Sequence, residues 1–263
     1  MHFYTEFTAK RVTRVLLLAF GVLLFMHLVV QFGHLVLHQE WGALTELFDM
    51  DLENNMPTFF NCGLFFIGAA LFYLAGKGER ELPRRPWMIM AAVFLFLGID
   101  EGSQVHEKFM LVTLRLIGWD QWHMGWLYYA WVIPYGIIVG ALGLYMLRFL
   151  LRVQAGTRNG LLASGALYVL GAVVFEAYSG KIAEAAHDTD LPGNAAYCAT
   201  ITFEESFEML ALIGCIHVMM VLHGHRGTVL SVGLRPSAAV TGDAAAGARE
   251  VAAKRSRTVD QAG

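Results

Sequence analysis

Four stretches of this chain place ionisable side chains inside runs that are otherwise apolar. Asp100, Glu101, His106 and Glu107 close the run Phe94-Leu-Phe-Leu-Gly-Ile-Asp-Glu-Gly-Ser-Gln-Val-His-Glu. Glu204, Glu205 and Glu208 stand in a second run, and Glu176 in a third. His34 and His38 end a fourth, in which His27 and Gln31 lie within about 60° of them on a helix turning about 100° per residue. Ionisable groups near bilayer depth are expensive, which makes them functional candidates. Carboxylates and imidazoles on facing helices build di-iron, di-manganese and zinc centres. The i, i+4 spacing of His34 and His38 lets two imidazoles grip one metal from a single helix. The expected metal ligands are therefore His34, His38, Asp100, His106, Glu107, Glu176, Glu204 and Glu208. Glu101 and Glu205, off the metal, are the expected general acid and base. A divalent cation would neutralise carboxylates that otherwise repel one another. The Glu-x-x-His pair of ferritin-like bundles is absent, which lowers the di-iron case and leaves zinc, copper or a mixed-ligand iron site.

The elements that must position these residues follow from composition. Of 263 residues, 56% are hydrophobic and 16% charged, and mean hydropathy is +0.51. Soluble domains carry about 45–50% apolar and about 25% charged residues. The apolar residues come in blocks of about 20, the length that crosses a bilayer as helix. The fold expected is an all-α, polytopic membrane bundle of six transmembrane helices at 15–38, 57–76, 87–107, 126–150, 160–181 and 200–224. The bundle domain covers 1–226. Residues 227–263 read as a disordered cytoplasmic tail, too poor in large apolar groups to offset the entropy of ordering. The first span exceeds a signal-peptide core of about 7–15 residues and is expected to be retained. Asn54-Asn-Met-Pro57 signals a helix start. Trp41, Leu44 and Phe48 suit a short surface helix, and Trp119, Trp122 and Trp126 an aromatic belt. Pro134 is expected to kink the fourth span. Cys62, Cys198 and Cys215 form no metal-ligand spacing, although a Cys62–Cys198 disulfide is compatible with their positions.

Charge orients the bundle. All Lys and Arg residues except Lys108, Arg115 and Lys181 fall on the side that six spans give to both termini. The positive-inside rule then places both termini in the cytoplasm of a bacterial inner (plasma) membrane. At about 1.5 Å per residue, Asp100 lies about 20 Å from the inner end of its span. In a core about 30 Å thick that is the outer third, the level at which Glu176, the glutamates of the last span and His34 and His38 also fall. Lys181, about one turn from Glu176, is a candidate ion-pair partner.

The reading that joins these features is a metal-dependent membrane hydrolase or oxidoreductase acting on a lipid, quinone-like or other apolar substrate. Beside the lipid bilayer, no nucleic-acid partner is expected. The alternatives are a proton- or ion-coupled transporter, a haem-b protein using His27 and His217, and a non-catalytic assembly factor or sensor. The zinc-peptidase His-Glu-x-x-His, the desaturase histidine boxes, the P-loop and Gly-x-Ser-x-Gly are all missing. The Asp-Glu and His-Glu pairs of the third span, the Glu-Glu-x-x-Glu of the sixth, and the connector Leu47-Phe-Asp-Met-Asp-Leu-Glu-Asn-Asn-Met-Pro-Thr58 resemble patterns in uncharacterised bacterial multipass membrane proteins. The resemblance spans about residues 27–210 and implies a six-span bundle without carrying an activity.

Overall fold

The computed structural model describes residues 8–118, 123–187 and 191–227. The disorder expected for 227–263 falls outside these except at Gly227, as do Trp119 and Trp122. Among the described residues six helices are long and apolar enough to cross a membrane: Ala9–Leu37, Met56–Gly78, Arg84–Ser103, Val132–Leu150, Ala155–Ala186 and Ala195–His225. No strand occurs among the described residues. The chain is an all-α multipass membrane protein.

In chain order, α1 (Ala9–Phe32) runs into a wide π-helical turn at Gly33–Leu37, and α2 (Ala43–Phe48) is the short helix of the first connector. Then come α3 (Met56–Gly78), α4 (Arg84–Ser103) and α5 (Val105–Ile117). A 3-10 turn at Gly125–Leu127 precedes α6 (Val132–Leu150). The fifth span is α7 (Ala155–Val169), a second π-helical stretch at Leu170–Phe175 and α8 (Glu176–Ala186), and α9 (Ala195–His225) is the sixth. Asparagines start two of the spans. Asn55 accepts the Thr58 N–H, with Pro57 in the first turn, and Asn194 accepts those of Ala196 and Tyr197. Each satisfies donors that a helix start leaves open.

Two sequence expectations change here. Pro134 does not kink a span, because α6 begins only at Val132 and places it in the first turn, where its missing N–H has no intrahelical partner. The third span does not reach residue 107. It stops at Ser103, where Gln104 adopts left-handed backbone (φ 54°, ψ 41°) and α5 restarts in a new direction.

Helix α9 is the hub, packing against α1, α3, α7 and α8. Its apolar window is 56% buried, against 11% for α6 and for the fifth span. Met209, Ile213, Ile216 and Met219 are fully buried in it. Beside this hub, α3 and α4 pair through edge-on and tilted rings, with Phe65–Phe94 centroids at 5.8 Å and Phe72–Phe94 at 4.9 Å. Trp87 of α4 meets Phe149 of α6 at 4.9 Å. Val15, Leu18, Val22 and Phe25 of α1 and Ile137, Ile138 and Leu144 of α6 face outward, as lipid-facing side chains must.

The two ends of the bundle differ. At one end the α3–α4 loop is closed by Glu79, which is 4% exposed. Its carboxylate accepts the backbone N–H groups of Arg80, Glu81 and Leu82, the Trp87 indole at 2.9 Å and the Arg226 guanidinium at 2.7 Å. Burial opposes its charge, but these donors win and hold its pKa down at about 2. At the other end α3, α6 and α9 begin, α4 and α8 finish, and the ionisable residues gather.

Candidate metal centre

The break at Gln104 builds the first part of the site. By restarting the helix at Val105 it leaves open N–H groups, and Asp100 Oδ1 accepts that of His106 at 2.8 Å. Asp100 Oδ2 accepts the Tyr135 hydroxyl at 3.1 Å and lies 3.4 Å from His106 Nδ1. The His106 ring also packs edge-on against Trp131 at 4.9 Å. Burial disfavours charge on this ring, but the hydrogen bond and negative charge of Asp100 outweigh it and raise its pKa. Asp100 and Ser103 thus belong to α4 and Glu107 to α5, and the Ser103 hydroxyl turns back to the Ile99 carbonyl.

Glu53, His106 and Glu107 each offer one ligand atom, and these atoms lie within 4.8 Å of one another. With Nδ1 turned to Asp100, Nε2 is the ring nitrogen open to this group. Glu53 comes from the first connector, which polar contacts draw into the bundle. His27 Nδ1 accepts the Met50 N–H at 3.0 Å. Gln31 donates to Asp49 at 3.0 Å, and Tyr197 to Asp51 at 2.8 Å. Asn55 donates to the carbonyls of Asp49 and Leu52. Burial, followed by repulsion from Glu101 and Glu107, pushes the Glu53 pKa up to about 7. Burial likewise raises that of Asp51, against the Tyr197 hydroxyl.

Behind this group the remaining carboxylates crowd together. Glu101 Oε1 accepts the Asn61 amide at 3.0 Å. Glu205 faces Glu208, Glu101 and Glu53, and Glu208 faces Glu101 and Glu176 and bonds the Tyr168 hydroxyl. Glu204 meets Glu176 carboxyl to carboxyl, a contact between two acceptors that requires a proton or a cation between them. Ser179 lies 3.3 Å from Glu204, and the Trp131 indole donates to Glu176 at 3.1 Å. Gly171 lets the fifth span come this close. A Cβ there would stand 2.8 Å from the Glu204 carbonyl oxygen and 3.0 Å from Glu208 Cγ.

Of the sequence-derived candidates, His106, Glu107, Glu101, Glu176, Glu204, Glu205 and Glu208 therefore meet at one end of the bundle, with Asp100 bonded behind His106. His34 and His38 do not join them. The π-helical turn and the left-handed backbone of His38 (φ 51°) end the helix between them and cancel their i, i+4 relation. His34 Nε2 lies 3.4 Å from Thr45, and His38 is exposed. His27 is a strut. Accepting at Nδ1 fixes its proton on Nε2, which bonds Thr202 at 2.9 Å, so neither nitrogen of His27 is left for the haem pairing with His217, whose own Nδ1 lies 2.8 Å from the Thr13 hydroxyl. Lys181 stacks 5.0 Å over the Trp126 ring. Cys62, Cys198 and Cys215 form no disulfide with one another. The residue that sequence reading missed is Glu53, whose acidic connector resembled solvated charge; the nearest signal was the connector's own Asn-Asn-Met-Pro helix start.

A family described as a domain of unknown function (DUF8692) matches residues 9–222. No curated protein and no solved structure matches the chain.

Proposed function

The chain belongs to the DUF8692 family, and from that premise we propose that it is a metal-dependent membrane enzyme. The observation that carries the reading is the convergence of Glu53, His106 and Glu107 to within 4.8 Å. Asp100 supports it from behind, since a carboxylate on the far nitrogen of a ligating imidazole fixes the ring and raises its basicity. One imidazole and two carboxylates suit zinc or iron, and less well copper. A metal so held, with a coordination position left for water or substrate, activates water or supplies redox chemistry. Glu101, held by Asn61, and Glu205 stand behind this group as further carboxylates of the site. A half-buried site at one end of a bundle of lipid-facing helices, with Glu107 exposed, suits a lipid-like or quinone-like substrate. The distribution of Lys and Arg favours both termini in the cytoplasm of a bacterial inner membrane, with the site toward the outer face. A reporter fused after Arg226 should read as cytoplasmic, and an external reading overturns that orientation.

The test is metal content of the detergent-purified protein by plasma mass spectrometry, beside a His106→Ala/Glu107→Gln variant matched for size-exclusion profile. Bound metal in the wild type and the loss of at least one equivalent in the variant are expected. Metal content in the variant equal to that of the wild type, or a wild type that holds none and rebinds none, overturns the reading. One observation favours a second reading, ion- or proton-coupled transport: the carboxylates continue inward from Glu101 through Glu205 and Glu208. Proton flux in liposomes by a metal-free wild type would select it.

A further inference from the structure

The Glu53–His106–Glu107 group leaves much of the buried acid unused. Glu101, Glu205 and Glu208 come from α4 and α9 and face one another, and Glu53 faces both these three and its own group. None of the charges acting most strongly on the three is a Lys or Arg, and the one basic group among them is His106. Like charges packed this way repel strongly unless something positive or a proton lies among them.

Two independent observations point to a ligand. Asn61 is 0% exposed, and its Oδ1 is buried with no hydrogen-bond partner. Its Nδ2 donates to Glu101, and the two heteroatoms of an amide lie about 2.3 Å apart, so the unpartnered oxygen lies beside Glu101, one carboxylate of the cluster. Burying such an acceptor unmatched is costly. Glu53 Oε2 is likewise buried without a partner, on the side chain common to both groups.

We infer that the centre is binuclear, with a second divalent cation held by Glu101, Glu205 and Glu208, Asn61 Oδ1 as a neutral fourth donor, and Glu53 bridging to the first. The inference rests on the metal reading of the Glu53–His106–Glu107 group. Among the described residues only Glu53, His106 and Glu107 already converge to 4.8 Å, and a cation is what draws three mutually repelling carboxylates inward. The donors differ between the positions. The first offers an imidazole, while the second is all oxygen, which selects manganese, iron(II) or magnesium over softer ions. Paired metals bound by facing carboxylates are an established use of a helix-bundle core.

The experiment strips the full-length protein with chelator in detergent and returns Mn²⁺. Bound manganese is counted by plasma mass spectrometry, and its electron paramagnetic resonance is recorded. Two ions per chain with an exchange-coupled signal are expected for the wild type. Glu205→Gln/Glu208→Gln should retain one ion and an uncoupled signal, and His106→Ala should also retain one. Asn61→Leu should weaken the second ion about tenfold, and Asn61→Asp should restore it. A wild type that binds one ion, still bound in Glu205→Gln/Glu208→Gln, overturns the binuclear inference and leaves the first metal standing. Two ions in Glu205→Gln/Glu208→Gln also overturn it. A wild type that binds none overturns both.

Discussion

Asp100 shows how much one side chain is asked to do. It caps the start of α5, accepts a tyrosine hydroxyl and sits behind the ring that faces the candidate metal. Asp100→Asn keeps an oxygen for the cap and removes the charge behind Nδ1. Metal affinity should fall about 10–100-fold in an equilibrium titration, and an unchanged affinity would remove His106 from the ligand set. The roles of single residues were only partly legible in the sequence. Ionisable residues in apolar runs announce themselves by their cost, so Glu101, His106 and Glu208 could be singled out. Whether such a residue ligates or supports depends on hydrogen bonds between distant segments, as when Met50 takes the Nδ1 of His27. Glu53 was hidden for the opposite reason: in a polar connector a glutamate costs nothing, and only the folded connector buries it.

At the scale of elements, the spans were legible because the bilayer sets their length and composition. Their interruptions were not. Gln104 breaks a helix from a left-handed conformation that costs a side-chain-bearing residue about 1–2 kcal/mol, and nothing in its type signals this. The same holds for the π-helical turn that parts His34 from His38, so angles computed on an ideal helix failed at both places. They failed next to the site, where π-helical turns are frequent. Close approach of the fifth span to α9 is equally specific. Gly171→Ala would drive a methyl group into the Glu204 backbone and against Glu208 Cγ, at an expected cost of about 1–3 kcal/mol, with loss of bound metal as Glu208 is pushed away from Glu101. Thermal unfolding read with metal content checks this. A variant of wild-type stability and stoichiometry would show that the two helices have room to part.

For the molecule as a whole, the end opposite the candidate centre acts as a clasp. Glu79 joins the α3–α4 loop to Arg226 at the end of the last span. Its pKa of about 2 lies below the ordinary 4.5, so the stabilisation is complete above about pH 4.5 and is lost as pH falls toward 2. Glu79→Gln should lose about 2 kcal/mol at neutral pH and flatten this part of the acid dependence. Melting curves between pH 3 and 7 test it, and an unaltered acid slope would show that the clasp does not secure that end. The position of α9 has a consequence for how the protein is made. This helix carries three glutamates, and each charged residue adds a penalty of a few kcal/mol to entry into lipid. Its partners α1, α3 and α7 are all synthesised before it. The last span therefore enters the membrane against a receptacle already assembled from its own chain, and a nascent protein in which that receptacle is misassembled would strand α9 outside the bilayer.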